Sequence, residues 1–301
     1  MISCVDVSQF QGVIDWPAHR AAGFDSAIIR VGDGPTYNDT HWVVNAQAAH
    51  AAGLGIVAYH FARVAQPPVT QGLNAVHAVQ AAGVPIVRMM ADLEDPNWFG
   101  PLPNHWLDDY LHELDQVGAP AAIYTNGAWW NPRVTDPHRY NDHPFIVAEW
   151  PSKAPPPADP ANWSAWAYGF KPSGPTPPTG ISNIAGWQFA DNGTVAGIRT
   201  LVDCDLIYDP AFFKESAVAD PILIRDPRTG RIDICNGPTY RHVDLDEYAW
   251  WKTTLGKDFT DLAADVWDAM HAPPPVTQPD PAPIAKATVD ELRAQGIVVF
   301  H

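Results

Sequence analysis

The sequence is poor in cysteine and in basic residues, and each shortage excludes a class of protein. Only three cysteines occur among 301 residues, at Cys4, Cys204 and Cys235, an odd and sparse number that does not form a disulfide framework. Lysine and arginine number 18 against 34 acidic residues, which gives a net charge of −16. Because phosphate backbones are bound by basic surfaces, we expect no nucleic acid partner.

Long hydrophobic runs are also missing. No segment approaches the roughly 18 consecutive apolar residues of a membrane span. The first residues, Met1 to Asp6, lack the basic and apolar regions of a signal peptide. We therefore expect a protein that is made in the cytoplasm and has no membrane span. Hydrophobic residues are abundant, at 46% of the chain, and indicate a sizeable core. Proline is also abundant, with 31 residues, and indicates long, rigid loops.

Residues 1–213 have the pattern of a parallel sheet wrapped by helices, because β-branched runs alternate with helical stretches. Helices are predicted at 40–52, 68–82 and 103–117, each followed by a glycine, and the Pro/Gly-rich stretch 151–180 predicts no helix. Eight strands are predicted, at 3–7, 26–31, 55–61, 85–93, 121–124, 145–150, 186–189 and 201–207. The predicted fold class is therefore α/β, an irregular TIM-like barrel.

Residues 214–301 predict a second, small α+β module. Alternating strands flank a Pro-Arg-Thr-Gly turn within 221–235, and helices are predicted at 245–255, at 261–269 and after a proline tract at 272–283. The aromatic residues Tyr240, Tyr248, Trp250 and Trp251 either form the core of this module or recognise a partner. We expect an accessory role, in binding a partner or in self-association.

Acidic residues stand where three of the predicted strands end, in the segments Asp6-Val7, Asp92-Leu93-Glu94 and Asp203-Cys204-Asp205. Side chains at i and i+2 of a strand share a face, so Asp92 and Glu94 point the same way. Close carboxylates on an apolar strand raise the pKa of one member. One protonated and one ionised acid are what glycosidic bond cleavage needs, with an acidic-to-neutral pH optimum. The alternatives are that such pairs only cap loops or bind a solvated cation.

A string of motifs at these strand ends closely resembles the family 25 glycoside hydrolases, the muramidase-type lysozymes found in many phage lysins. The resemblance covers about residues 1–213 and implies a (β/α)5(β)3 barrel that cuts the β-1,4 bond between N-acetylmuramic acid and N-acetylglucosamine. The motifs are Asp6-Val7-Ser8, Tyr59-His60-Phe61-Ala62-Arg63, Asp92-Leu93-Glu94, Ile123-Tyr124-Thr125-Asn126, Ala148-Glu149-Trp150, Trp187-Gln188-Phe189 and Val202-Asp203.

The resemblance implies a role for each acid. By position, Glu94 matches the general acid, and Asp92 matches the carboxylate that assists it by steering the substrate's acetamido group or a water. Asp6 and Asp203 match acids that line the same groove, although either one alternatively accepts hydrogen bonds from a loop. No metal and no other cofactor is expected.

Six further residues are candidates for binding sugar. Flat aromatic faces pack on pyranose rings, which makes four aromatic residues candidate platforms, unless they belong to the core. Asp33 stands where the family usually has a glutamate, and Asp205 where it often has an asparagine. His60 is predicted to be a hydrogen-bonded barrel residue rather than a base. The four aromatic candidates are Tyr59, Tyr124, Trp150 and Trp187.

The function predicted from these features is an endolysin-type peptidoglycan hydrolase that waits in a host cytoplasm before release to the wall, or that is part of a virion. The alternative is a non-catalytic glycan-binding or tail structural protein that keeps the barrel. A metal-dependent hydrolase using Asp92, Glu94 and His60 is disfavoured, because no tight ligand spacing occurs. Since Cys4 and Cys204 should face opposite sides of adjoining strands, we expect free thiols.

Overall fold

Nine strands form one sheet in the first part of the chain, and eight of them close into a barrel. The computed structural model describes residues 1–117, 120–213, 222–226, 228–236, 239–243 and 260–261. The sheet strands are β1 (Ile2–Val7), β2 (Ser26–Asp33), β3 (Tyr37–Asn38), β4 (Gly55–Phe61), β5 (Arg88–Asp92), β6 (Ala122–Thr125), β7 (Phe145–Ala148), β8 (Ile184–Gly193) and β9 (Val202–Ile207). All eight predicted strands are present, and the predicted irregular barrel is confirmed.

The direction of the strands decides which residues meet at the barrel mouth. From β1 through β2, β4, β5, β6 and β7 to β8, each barrel strand runs parallel to the next. The last strand, β9, runs antiparallel to both β8 and β1. The prediction that Asp203 ends its strand is therefore wrong, because Asp203 lies near the start of β9. Reversal of this strand brings its first residues to the rim where the parallel strands end.

Six helices occur in the described part of the barrel chain: α1 (Trp16–Ala21), α2 (Trp42–Ala51), α3 (Pro68–Ala82), α4 (Trp106–Asp115), α5 (Gly127–Trp130) and α6 (Trp163–Phe170). The three predicted helices are α2, α3 and α4. Gly83 ends α3 with φ +65°, a left-handed conformation that glycine adopts without strain. Gly118 lies outside the described residues.

The expectation of no helix within residues 151–180 is wrong, because α6 forms there. Its residues include none of the prolines of that stretch, so its backbone amides remain free to donate. Trp163 at its start is fully buried, with its ring centroid 5.3 Å from that of Phe24 and 5.5 Å from that of Phe189. Burial of this aromatic face stabilises the helix against the sheet.

Side chains at alternate strand positions belong to two different hydrophobic layers. One layer packs between the sheet and the helices, and the other fills the barrel interior. Cys204 belongs to the first layer and Cys4 to the second, and both are free. The predicted divergence of these two thiols is confirmed.

The chain divides into two compact units between Ser216 and Ala217. In the second unit, β10 (Ile222–Arg225) and β11 (Ile232–Asn236) form the predicted hairpin. Two further strands join them, β12 (Thr239–Val243) and β13 (Thr260–Asp261), in the order β12-β11-β10-β13. The predicted helices of this unit lie outside the described residues, apart from Asp261, which ends β13. So do Tyr248, Trp250 and Trp251. Where the structure describes the chain, no helix has the length and apolar character of a membrane span.

Candidate active site

The four acids predicted to be catalytic converge on one small cavity at the barrel mouth. Asp6 lies near the end of β1 and is the register partner of Asp203 on β9. Asp92 ends β5, and Glu94 follows it by two residues. The cavity has a volume of about 60 Å3 and is lined by Asp6, Tyr59, Met90, Asp92, Glu94, Tyr124, Gln188 and Asp203. The structure therefore brings together acids that are up to 197 positions apart in the sequence.

Burial raises the pKa of all four acids, because a charge is less stable away from water. The pKa of Glu94 rises to about 7, first through burial and then through the charge of Asp203. Burial and the neighbouring Asp6 raise the pKa of Asp203 to about 9. The pKa of Asp92 is raised well above its usual value by burial and by Glu94. Near neutral pH the cluster thus retains protons that exposed acids would have released.

Asp6 is the most acidic member of this cluster. Burial raises its pKa to about 6, although a hydrogen bond from Gln188 opposes that rise. Asp203 also forms a hydrogen bond with Asp6. Because these two carboxyls titrate as a coupled pair, with pKa values raised to about 6 and about 9, they share a proton near neutral pH. The pair therefore carries one proton and one negative charge.

A larger groove leads to this cavity. Its volume is about 470 Å3, and it shares Glu94 and Tyr124 with the cavity. Trp150 on the groove wall is 42% exposed. The other lining residues are Asn126, Gly127, Ala128, Asn131, Ala148, Glu149, Thr176 and Pro177. An extended ligand in this groove would therefore reach Glu94 at its inner end.

Glu149 holds one wall of the groove in place. Its carboxylate forms an ion pair with Lys171 and accepts a hydrogen bond of 2.6 Å from the Thr176 amide. Burial acts to raise the pKa of Glu149, but the hydrogen bonds from Lys171 and Thr176 outweigh it and lower the pKa. This carboxylate is thus ionised and already bound, and it fastens the proline-rich loop beside the groove.

Three of the residues predicted to bind sugar do lie at the site. Tyr59 and Tyr124 line the cavity, Tyr124 also lines the groove, and Trp150 lines the groove. Trp150 is partly exposed, which a sugar platform requires.

Trp187, Asp33 and Asp205, which are also predicted to bind sugar, do not line the cavity or the groove. Trp187 is fully buried in the layer between sheet and helices. Asp205 is 1% exposed and is the register partner of Cys4 and Gln188. The carboxylate of Asp33 is bound by the Arg63 guanidinium at 2.6 and 2.5 Å.

His60 is a hydrogen-bonded barrel residue, as predicted. Its Nδ1 lies 2.6 Å from the Tyr110 hydroxyl and its Nε2 lies 2.9 Å from the Gly34 carbonyl oxygen. Burial lowers the pKa of His60 to about 4. Both ring nitrogens are occupied, so His60 is not available as a base or a ligand. The described residues contain no group of three side chains able to hold a metal ion.

Gln188 is the site residue that sequence reasoning missed. It is 3% exposed and lines the cavity, whereas its neighbours Trp187 and Phe189 face the helices. Strict alternation in β8 places one polar side chain between two large aromatics on the opposite face of the sheet. That alternation is the sequence pattern that distinguishes Gln188 from Trp187.

Comparison with known proteins identifies the family of the barrel. The model of glycosyl hydrolases family 25 matches residues 5–198. Lysozyme M1 of Streptomyces globisporus is 26% identical over 214 residues, which cover 66% of this chain and 65% of that protein. The chain thus spans about 65% of the length of this relative.

Solved structures show the same fold. A bacterial lysozyme from Streptomyces coelicolor is 25% identical with a TM-score of 0.55, covering 69% of this chain and 92% of that one. The catalytic domain of endolysin ply40 from Listeria bacteriophage P40 is 16% identical with a TM-score of 0.53, covering 70% and 95%. With the family model matching well over half of its residues, the chain belongs to glycosyl hydrolases family 25.

Proposed function

We propose that this protein is a muramidase, which hydrolyses the β-1,4 bond between N-acetylmuramic acid and N-acetylglucosamine in bacterial peptidoglycan. The observation that carries the proposal is the position of Glu94, where a groove long enough for sugars meets a cavity of buried acids. Family membership and the similarity to Lysozyme M1 support the same activity.

Glu94 acts as the general acid in this proposal. Its pKa of about 7 keeps it protonated in mildly acidic solution, so that it can donate a proton to the departing glycosidic oxygen. Asp92 assists from the end of β5, two residues before Glu94, by steering the substrate's acetamido group or a water molecule. Asp6 and Asp203 supply the single negative charge that stabilises the positive charge developing on the sugar ring.

The groove binds the glycan on one side of the scissile bond. The exposed ring of Trp150 packs against a pyranose face, and Tyr59 and Tyr124 contact the sugar nearest to the acids. The amides of Asn126 and Asn131 and the Thr176 hydroxyl provide hydrogen bonds to sugar hydroxyls along the same groove.

We extend the proposal to a phage lysin that degrades the wall of the infected cell. The fold shared with endolysin ply40 supports this extension. The net charge of −16 repels an anionic wall at long range, so attachment has to depend on short-range recognition. We assign that recognition to residues 214–301, the accessory module for which cell-wall binding and self-association are the two roles considered.

The decisive experiment digests purified peptidoglycan with the full chain and determines released fragments by mass spectrometry after reduction. We expect new reducing ends on N-acetylmuramic acid. Glu94→Gln should lower the rate of release by about 10²–10⁴-fold. Asp109→Asn, an exposed carboxylate-to-amide change on α4, should leave the rate unaltered.

Three results would contradict the proposal. One is no release of reducing sugar by the unaltered protein, which would favour a binding role. The second is a new reducing end on N-acetylglucosamine, which identifies a different bond. The third is a Glu94→Gln variant as active as the unaltered enzyme.

A further inference from the structure

We infer that Gln188 is a positioning residue, whose single buried amide couples Asp6 in the cavity to Trp150 on the groove wall. This inference rests on the proposed muramidase activity and deepens it. It links the site that holds the acids to the site that holds the sugar.

The position of Gln188 in the sheet makes this coupling achievable. In β8, Gln188 is the register partner of Ala148 on one side and Asp205 on the other. It therefore stands between the strand that leads to Trp150 and the strand that carries Asp203. Because its side chain is 3% exposed, water does not compete for its hydrogen bonds.

Three hydrogen bonds use both ends of the amide. The oxygen Oε1 accepts from the Tyr124 hydroxyl at 2.9 Å and from the Trp150 indole nitrogen at 3.2 Å. The nitrogen Nε2 donates to Oδ2 of Asp6 at 2.6 Å. Three side chains from separate strands or strand ends are thus joined through Gln188.

The orientation of this amide follows from the chemistry of its partners. An indole N–H only donates, so the group facing Trp150 has to be the amide oxygen. Rotation of the amide by 180° would place its NH2 group against that donor and its oxygen against the Asp6 carboxylate. Both contacts would be repulsive. The NH2 group is therefore held toward Asp6.

The surroundings of Asp6 make this donor important. Within the described residues, no basic side chain forms an ion pair with Asp6, and the Gln188 amide and Asp203 are its hydrogen-bond partners. A donor to a carboxylate favours the ionised form, whereas nearby acids disfavour it. The titratable groups that face or interact with Asp6 are Cys4, Tyr59, Asp92, Glu94, Tyr124, Asp203, Cys204 and Asp205.

Loss of the amide should therefore have two separable effects. The pKa of Asp6 should rise, because its ionised form loses one hydrogen-bond donor while the nearby acids that disfavour this form remain. Trp150 should lose the acceptor that fixes its half-exposed ring over the groove, which weakens sugar binding. Substitution of a residue needed only for folding would not shift the acidic limb of the pH profile in one variant and KM in another.

The test compares three variants of the full chain by their rates on peptidoglycan fragments across pH. Gln188→Met keeps the length of the side chain and removes all three hydrogen bonds. We expect the acidic limb of its kcat/KM profile to move up by about one pH unit and its KM to rise about 3–10-fold. Trp150→Phe keeps an aromatic ring, although a smaller one, and removes the N–H, so its KM should rise while the limb stays in place.

Gln188→Glu tests the two ends of the amide separately. It retains an acceptor for Tyr124 and Trp150 but loses the NH2 donor and adds an acid. The acidic limb should move up while KM remains within about twofold of the unaltered enzyme. This variant also keeps the inference testable if Gln188→Met fails to fold, which circular dichroism and thermal melting would reveal.

An acidic limb that stays in place in both Gln188 variants would overturn the inference, and so would an unchanged KM in both Gln188→Met and Trp150→Phe. If the unaltered protein releases no sugar, the proposed function fails. Carbon-13 NMR titration of the Asp6 carboxyl in the unaltered protein and in Gln188→Glu then still decides whether Gln188 governs its ionisation.

Discussion

Two sets of carboxylates at the same end of the barrel differ in whether they have a cation. The central acids Asp6, Asp92, Glu94 and Asp203 line the cavity and form no salt bridge within the described residues. The paired acids are Asp33, Asp39 and Glu149, which bind Arg63, Arg30 and Lys171.

The difference shows that the fold accepts a cost in stability where the buried acids serve catalysis. A buried acid without a cation costs stability when it ionises, and pairing is the usual remedy. Acids around the barrel mouth are paired with cations, whereas the acids in the central cavity form no ion pair in the part of the chain that the structure describes. The raised pKa values of these central acids keep protons available for transfer. Uncompensated acids of this kind are typical of catalytic sites.

The largest expected effect comes from giving the central acids the cation that they lack. Met90 lines the cavity two residues before Asp92 on β5. Met90→Lys should lower the pKa of Glu94, so that this acid loses its proton, and kcat/KM near pH 6.5 should fall by about 10²–10³-fold. Met90→Gln is the matched neutral control, for which we expect a much smaller loss. Equal loss in the two variants would argue against the electrostatic explanation.

Removing a cation from the paired acids should affect stability instead. The side chains of Arg30 and Asp39 are 10% and 1% exposed, and their ion pair measures 2.8 Å. Arg30→Met leaves Asp39 buried without its partner, and the free energy of unfolding in urea should fall by about 3 kcal/mol. Arg20→Met breaks the exposed pair with Asp25 and should cost less than about 1 kcal/mol. Similar losses in both variants would contradict this distinction.

The central acids and Glu149 should also respond to pH with opposite sign. Acids whose pKa is raised by folding hold protons that the unfolded chain has released. The free energy of unfolding should therefore fall as pH rises from about 4 to the pKa values of about 6 for Asp6, 7 for Glu94 and 9 for Asp203. The lowered pKa of Glu149 makes its contribution present at neutral pH and lost in acid.

Thermal melting of two amide variants checks this sign. Asp203→Asn should raise Tm at pH 8, by about 2–4 °C for each kcal/mol gained, and change it little at pH 4. Glu149→Gln should lower Tm at pH 8 instead. A lower Tm of Asp203→Asn at pH 8 would show that Asp203 is not destabilising when ionised.

The smallest effect is expected at Asp33. Its ion pair with Arg63 is partly exposed, at 23% and 32% of the two side chains, so Asp33→Asn should cost less than about 1 kcal/mol of unfolding free energy. Its kcat/KM should stay within about twofold of the unaltered value, because Asp33 lines neither cavity nor groove. A tenfold or greater loss of kcat/KM would show that Asp33 contributes to sugar binding.

Local sequence pattern was sufficient for most of the fold and for the central acids. Strand alternation and strand length are properties of a few neighbouring residues, so all eight barrel strands and the shared face of Asp92 and Glu94 were predictable. The same pattern was available for Gln188. Residue type alone favours the large aromatic Trp187, but alternation turns it away from the barrel interior.

Other features depend on neighbours that are remote in the sequence. Asp33, Asp39 and Glu149 have the same chemistry as the central acids, and only folding brings a cation to each of them. Asp203 meets Asp6 because β9 runs antiparallel to β1. Alternation is a local property of the backbone, whereas a pKa is set by burial and by charges contributed from several strands. The sequence therefore decides which residues carry acid groups and which way they face, and the closed barrel decides which of them keep a proton.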